Sequence, residues 1–489
     1  MNRSVAAVTL GACIWLAACT VGPNYHRPPA PQAPAWKAEA PWTPAAPKES
    51  IPKGAWWEVF HDEELNQYER QVLAANQTLA AARDRLDQAR AFARVVSAGL
   101  FPQLATDPSA ERNRVSGNRQ LLTAPPPLRP DTENLFAVPF SINYEPDLFG
   151  RVRRNLEAAN ASLQASAADL QNVQLVLTAE AAADYFSVRE LDAEIAVVQS
   201  SVEYQEKALQ LVEKRHLGGV ASGLDVAQQQ AVLESTRTQI SLLQQQRLLD
   251  EHALATLTGV PPASLSIPVR PLQAEPPAIP VGVPSDVLQR RPDIATAERQ
   301  MAAANAQIGV AKTAFYPSIL LGGTGGWQSR DITTLASAPS TFWALGANVL
   351  QTIFNGGLNH AQLAFAQSGY EASVATYRQS VLSAFQQVED GLSGLSTLAA
   401  AADTQQRAVE ASQRALTIAN NRYVGGLVTY LDVITAEETL LTNQRLASQL
   451  LGQRLVTSVY LVKALGGGWD AASLQDIQVK PRAGQIWQQ

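Results

Sequence analysis

Apolar residues recur along this chain with a helical period over stretches longer than an ordinary globular domain uses. From Glu63 to about Leu100, Leu65, Val72, Leu79 and Leu86 fall seven residues apart, and Phe101-Pro102 then ends the pattern. The period resumes from about Arg151 to Arg215. Leu163, Leu170 and Leu177 are heptad-spaced there, and Leu191, Ile195, Val198, Val202, Leu209 and Val212 keep mostly three- and four-residue steps. At 1.5 Å per residue this predicts a coiled-coil-like rod of roughly 90–100 Å. The turn "HLGGVASG" reverses it into another helix from Asp225 to about Thr258, with Val226, Leu233, Ile240 and Leu254 in heptad register. Between the helical stretches, at about 102–147, the period changes to two. Phe136, Val138, Phe140, Ile142 and Tyr144 alternate with smaller residues over a length that suits a membrane-barrel strand.

The same succession then repeats. Residues 291–319 parallel 76–104 at an offset of 215, carrying Asn76 onto Arg291 and Phe101 onto Tyr316. A second strand pair follows at about 317–352, where Trp343, Leu345, Ala347 and Val349 alternate. A second long helix runs from about Leu358 to Arg422, and a final helix from Leu431 to Leu465. Between these two helices, "RYVGGLVTYLDV" at 422–433 matches "RHLGGVASGLDV" at 215–226 at an offset of 207. The pairs are Arg215/Arg422, Gly218/Gly425, Gly219/Gly426, Leu224/Leu431, Asp225/Asp432 and Val226/Val433. Each half therefore reads as helix, strand pair, very long helix, glycine tip and returning helix. Repeat 1 spans 61–270 and repeat 2 spans 286–468, joined by a Pro-rich connector at 271–285 and followed by a tail at 469–489.

The remaining strands are less regular. "SILLGGTGGWQS" is Gly-rich, "QLATDPSAERNRV" carries Asp107-Pro108, a poor strand start, and Pro139 interrupts the best alternation. Alternation alone leaves soluble hairpins and membrane strands equally open. Two hairpins supply four strands, whereas the smallest membrane barrel needs about eight and open edges are not tolerated in lipid. Spanning strands would have to be pooled, and three chains would give twelve.

Composition narrows the setting. Charged residues are 17% and the net charge is −6, which argues against a nucleic-acid partner. The first eighteen residues have the layout of a secretory signal, with Arg3 ahead of an apolar run. They end in Leu16-Ala17-Ala18 before Cys19, which resembles the lipobox of bacterial lipoproteins and makes Cys19 the acylated, palmitate-bearing N-terminus. The other reading is an ordinary signal and a free thiol. Residues 19–60 are Pro- and Ala-rich and predict an extended segment. No run reaches the length of a helical membrane span. "HDEEL" at 61–65 reads as a helix start, because the five histidines are scattered and give no metal-ligand spacing. No G-x-S-x-G, phosphate-loop lysine or CxxC occurs, so nothing supports an enzyme, a metal or a cofactor beyond the lipid on Cys19.

Several longer segments carry a resemblance: "CTVGPNYHRP" after the lipobox, "WWEVFHDEEL" at 56–65, "YEPDLFGRVRR" at 144–154, "VLQRRPDIATAE" at 287–298, "FNGG" at 354–357 and the two GG…LDV tips. Together they resemble the TolC-like outer-membrane efflux protein family, in its NodT-type lipoprotein branch. The resemblance implies a mainly α protein with a small β part. Duplicated long-helix hairpins would form a periplasmic helical barrel, and four strands per chain would join a twelve-strand barrel in a homotrimer. It implies a passive exit duct for drugs, toxic organics or metals. A periplasmic adaptor (membrane fusion) protein and an inner-membrane transporter of the RND type would deliver them. It puts adaptor docking at the tips, Gly218, Gly219, Gly425 and Gly426, and a periplasmic gate at Leu431 and Asp432. Arg422 and Tyr423 resemble positions that tether the closed tip. Asp432, like Asp225, also reads simply as a residue favoured at a helix N-terminus. Thr435 stands where a second acidic residue is often seen, with Glu437 and Glu438 nearby, so one acidic ring or two remains open. Two other functions stay open as well: the outer-membrane duct of a type I protein secretion system, and a non-conducting lipid-anchored periplasmic scaffold.

Overall fold

Two very long helical hairpins dominate the computed structural model, which describes residues 20–31, 36–37, 54–114, 116, 132–270, 272, 274–279, 290–469, 471–474 and 476–480. The signal peptide, Cys19 and part of the 271–285 connector lie outside the described residues. The single helix expected from Glu63 is in fact two, α1 (Glu63–Ala75) and α2 (Gln77–Ala98). Asn76 separates them in an extended conformation. Its side chain accepts from the Leu79 N–H at 3.0 Å and donates to the Leu257 carbonyl at 2.8 Å, so it caps one helix while bonding the end of another. Then come α3 (Arg151–Leu217) and α4 (Gly223–Leu257) in repeat 1, and α5 (Pro292–Thr313), α6 (Leu358–Val424) and α7 (Tyr430–Ala464) in repeat 2. α3 and α6 each have 67 residues, a length of about 100 Å. No helix among the described residues is long and apolar enough to cross a membrane.

The strands are β1 (Gln103–Thr106), β2 (Ser109–Arg114), β3 (Thr132–Tyr144), β4 (Ser318–Ser329) and β5 (Thr341–Leu350). All pair antiparallel in one sheet, with β1 and β2 both on β3, followed by β4 and β5. β1 and β2 are two ends of one strand. Gln103 opposite Asn143 and Ser109 opposite Ala137 belong to a single unbroken register. The gap falls at Asp107-Pro108, which that register sets across from Pro139 and Val138. Two prolines at one level remove ladder donors from both strands, and the Thr106 hydroxyl bonds the Pro139 carbonyl at 2.8 Å instead. "QLATDPSAERNRV", a poor strand start by sequence, is therefore strand on both sides of its proline.

Register puts the large apolar residues on one face. Ile142 pairs with Gly323 and Gly323 with Leu345, and Phe140 pairs with Gly325 and Gly325 with Trp343. The glycines of β4 are overlaid by their neighbours: Leu345 Cδ2 and Ile142 Cγ2 would lie 2.8 and 3.0 Å from a Cβ at position 323. Trp343 and Leu345 stay more than three-quarters exposed on this face, as side chains directed at lipid should. The opposite face carries Asn143, Ser141, Thr324, Gln328 and Asn348.

Small residues let the helices pack closely. α3 buries Ala158, Ala159, Ala161, Ala165, Ala167 and Ala168 near one end and Ala179, Ala181, Ala182 and Ala183 further along. The main core gathers Trp56, Phe60, Tyr185, Phe186, Tyr377 and Leu455 from both repeats. A chain of buried charges ties α1, α3 and α4 beside it. Arg189 bonds Glu64 at 2.8 Å and Asp192 at 2.9 Å, and Arg247 bonds Asp192 at 2.5 Å and Glu251 at 2.6 Å. The two arginines also donate to the carbonyls of Pro268 and Ile267, at 2.7 Å each, fastening the start of the connector. Asp192 is shared by both arginines, and removing it leaves each with a single carboxylate in a buried setting, which costs on the order of 1–3 kcal/mol. Asp192→Ala is therefore expected to lower the temperature at which the detergent-extracted protein loses helical circular dichroism, whereas the exposed-pair variant Glu206→Ala should leave it nearly unchanged.

Candidate functional site

The two tips use one local design. At the end of α3 the Val220 N–H bonds the Arg215 carbonyl at 2.8 Å and the Gly219 N–H bonds His216 at 2.9 Å. At the end of α6, Leu427 bonds Arg422 at 2.9 Å and Gly426 bonds Tyr423 at 3.0 Å. These are Schellman turns, which need one residue in the left-handed region, and Gly219 (φ 73°) and Gly426 (φ 70°) supply it. The chain then enters the returning helix through a capping box. In repeat 1 Ser222 and Asp225 cap each other at 2.9 and 3.1 Å. In repeat 2 the Thr429 N–H and hydroxyl both donate to Asp432 Oδ2, at 3.0 and 2.7 Å.

Leu431 and Asp432 sit side by side on the exposed face of the first turn of α7, and Leu431 is 55% exposed. Gly218, Gly219, Gly425 and Gly426 form the exposed extremities, flanked by the exposed apolar side chains of Leu217, Val220, Val424 and Leu427. Arg422 and Tyr423 lie in different surroundings within the chain. Arg422 is exposed, and its carbonyl holds the turn. Tyr423, one residue on, points into the other hairpin: the Arg215 guanidinium lies 4.7 Å from its ring centre and the Tyr430 ring is 4.9 Å away. Its hydroxyl has no hydrogen-bond partner among the described residues. Within the chain, residues that sequence reasoning passed over link the two hairpins. Tyr430 OH donates to Gln229 at 2.7 Å, and Gln229 donates to the Gln205 carbonyl at 3.1 Å, linking α7 through α4 to α3. Burial, reinforced by the nearby Glu437 carboxyl, raises the Tyr430 phenol above its ordinary value, so it remains a donor. A signal was present: Tyr430, Val433, Ile434 and Glu437 follow the helical spacing of a buried stripe.

Comparison with known proteins fits this architecture. The family model for "Outer membrane efflux protein" matches residues 70–260 and 283–467, one segment in each repeat. The chain belongs to the outer membrane efflux protein family. It is 34% identical over 466 residues to the pyoverdine export outer membrane protein OpmQ of Pseudomonas aeruginosa, covering 94% of this chain and 96% of the relative. It is 33% identical over 476 residues to the toluene efflux pump outer membrane protein TtgC of Pseudomonas putida, with 96% of each covered. The solved structure of the outer-membrane channel OprN superposes with a TM-score of 0.85 at 30% identity, covering 92% of this chain and all of that one. The protein is an outer-membrane efflux channel, and its four strand positions complete a twelve-strand barrel in a trimer continuous with a helical barrel.

The capping box makes a local prediction. Thr429→Ala removes one of the two donors to Asp432 and the N-cap hydroxyl, at a cost of about 1 kcal/mol. Amide exchange at 430–434 should rise severalfold while the equivalent amides at 223–227 stay protected.

Proposed function

We propose that this channel is the exit duct of a tripartite pump. A periplasmic adaptor docks on its glycine tips and an RND-type inner-membrane transporter supplies the solute. The gate is the ring of Leu431 and Asp432 around the three-fold axis, and Cys19 carries the lipid anchor. The observation that carries the gate reading is the division of α7 into two faces. Val433, Ile434 and Glu437 are buried against the other helices, which leaves Leu431 and Asp432 as the exposed pair at the mouth. Three symmetry-related leucines make an apolar constriction, and three carboxylates beside it make a cation-attracting ring. The exposed leucines and valines of the tips, next to glycines without side chains, suit close helical docking by an adaptor. Glu437 faces inward and Thr435 bonds the Leu431 carbonyl at 2.9 Å, which favours one acidic ring over two.

The names of the relatives favour small organic solutes over proteins. OpmQ is named for pyoverdine export and TtgC for toluene efflux, so the duct of a protein secretion system is the lesser reading.

The path of the N-terminal segment supports the anchor. The Val21 N–H bonds the Phe149 carbonyl at 3.1 Å, just after β3 leaves the sheet. A Cβ at Gly150 would meet Thr20 Cγ2 at 2.9 Å, so Thr20 is seated at the foot of the barrel. Arg154 holds the next few residues, bonding the carbonyls of Val21 and Gly22 at 3.2 and 3.3 Å and Asn24 Oδ1 at 2.9 Å. The described chain thus starts beside the end of the barrel strands, which supports a lipid on Cys19.

Single-channel recording in planar bilayers tests the gate. The wild-type trimer should give small cation-selective steps, and Asp432→Ala should enlarge them and erase the selectivity. Steps unchanged in size and selectivity would move the gate elsewhere, and silence from a protein that is monomeric would favour the scaffold. Intact-mass measurement tests the anchor: the mature N-terminus should begin at Cys19 and carry acyl groups that Cys19→Ser abolishes.

A further inference from the structure

The inner stripe of α7 contains one residue that does not belong in it. Tyr430, Val433, Ile434, Leu440 and Leu441 are buried at helical spacing, and Glu437 occupies the position between them. It is 3% exposed, and among the described residues neither carboxyl oxygen makes a well-formed hydrogen bond, although the Gln205 side chain lies close beside it. An unpaired buried carboxylate is among the costliest arrangements a fold can hold, and taking up a proton removes most of that cost.

Among the described residues, the surrounding groups supply no counter-charge. From α3, Tyr204 and Gln205 flank Glu437, with Arg215 engaged over the Tyr423 ring. α4 contributes Asp225 and Gln229 to the cluster, α6 contributes Tyr423, and α7 itself brings Tyr430 and Glu438. The side-chain amide of Gln205 is turned to Ser201 Oγ at 3.3 Å, and its carbonyl oxygen also lacks a donor. Burial pushes the Glu437 carboxyl up to about 7, with the Gln205 amide opposing and Glu438 adding to the rise.

The position matters because the gate residues ride on the same helix. Outward movement of Leu431 and Asp432 would carry α7 away from α3 and α4 and bring water to Glu437. We propose that Glu437 is a protonation latch between the two hairpins, whose neutral carboxyl keeps α7 seated on α3 and whose ionisation releases it. The latch rests on the reading of Leu431 and Asp432 as the gate. It acts through that gate, so Glu437 is a positioning residue. The sign follows from the raised carboxyl. Seating is strongest below the ordinary carboxylate value of about 4.5, weakens as pH rises, and is lost as pH passes about 7. Within that window each pH unit changes the seated-to-released ratio about tenfold per protomer.

The test uses the full-length reconstituted trimer between pH 5 and 9. Spin labels at Val220→Cys and Leu427→Cys, both exposed, report the separation of the two tips within a protomer when labelled chains are diluted with unlabelled ones. Single-channel current is read in parallel. Tip separation and current in the wild type should increase severalfold in released population between pH 6 and 8. Glu437→Gln should stay seated throughout, and Glu437→Leu, which completes the apolar stripe, should do the same if the amide variant assembles poorly. A pH response that persists in both variants overturns the latch. A separation that follows the Glu437 variants while current ignores it keeps the latch and rejects the gate at Leu431 and Asp432. If Asp432→Ala alters current but the Glu437 variants keep the wild-type pH response, the gate stands and the latch is rejected.

Discussion

Backbone N–H and C=O groups cannot be left unpaired in hydrocarbon, and the sheet of this chain has two open edges, β1/β2 on one side and β5 on the other. Everything distinctive about the molecule follows from that deficit. Four strand positions cannot close on themselves, so the edges close on further copies of the chain. The three-fold axis this creates runs on through the helices, because α3 and α6 leave the strands within about eight residues of their ends. A residue at a helix tip is thereby presented three times around one axis. A single exposed carboxylate becomes a ring without any further design.

Duplication supplies the frame, and divergence between the copies supplies the mechanism. The Schellman turns of the two tips match bond for bond, and both returning helices start with a hydroxyl residue and an aspartate three positions on that bond each other. The side chains that differ are the ones where the hairpins meet. Tyr423 corresponds to His216, which is exposed and bonds the Ala221 carbonyl at 2.9 Å within its own turn. Glu437 corresponds to Gln230, which is exposed, and Arg422 to Arg215, which covers Tyr423. One hairpin therefore provides a surface and the other inserts aromatic and acidic groups into it.

Most of the architecture was legible because periodicity and the repeat reported the same thing twice. Helix limits from spacing alone fell within about two residues for α3, α4, α6 and α7. The failures have local causes. Asn76 broke a pattern of apolar heptads that runs straight through it, because a cap can interrupt a helix without disturbing the spacing of its apolar face. Pro108 read as a strand breaker because the sequence does not show that Pro139 faces the same level, where one shared lesion is cheaper than two separate ones. At the tips, the turn chemistry was visible and the contacts between hairpins were not. Tyr430 and Gln229 lie 201 residues apart, and no period connects them. Glu437 was noticed as an acid, but its direction could be learned only from its step of seven after Tyr430.

Capping and gating were alternative readings of Asp432, and the geometry makes them compatible. The Thr429 N–H and hydroxyl both bind Oδ2, which fixes the carboxylate at the N-terminus of α7. A helix N-terminus favours negative charge by about 0.3–1 kcal/mol. Capping explains why aspartate stands in this position in both repeats, because Ser222 and Asp225 make the same box. It does not explain the company each keeps. Asp432 is followed by a stripe that contains a buried acid, whereas Asp225 is followed by Val226 and Gln229, which serve the other helix. The same cap therefore holds a structural charge in one hairpin and, on the gate reading, a working one in the other. The difference lies in what the helix behind it is free to do.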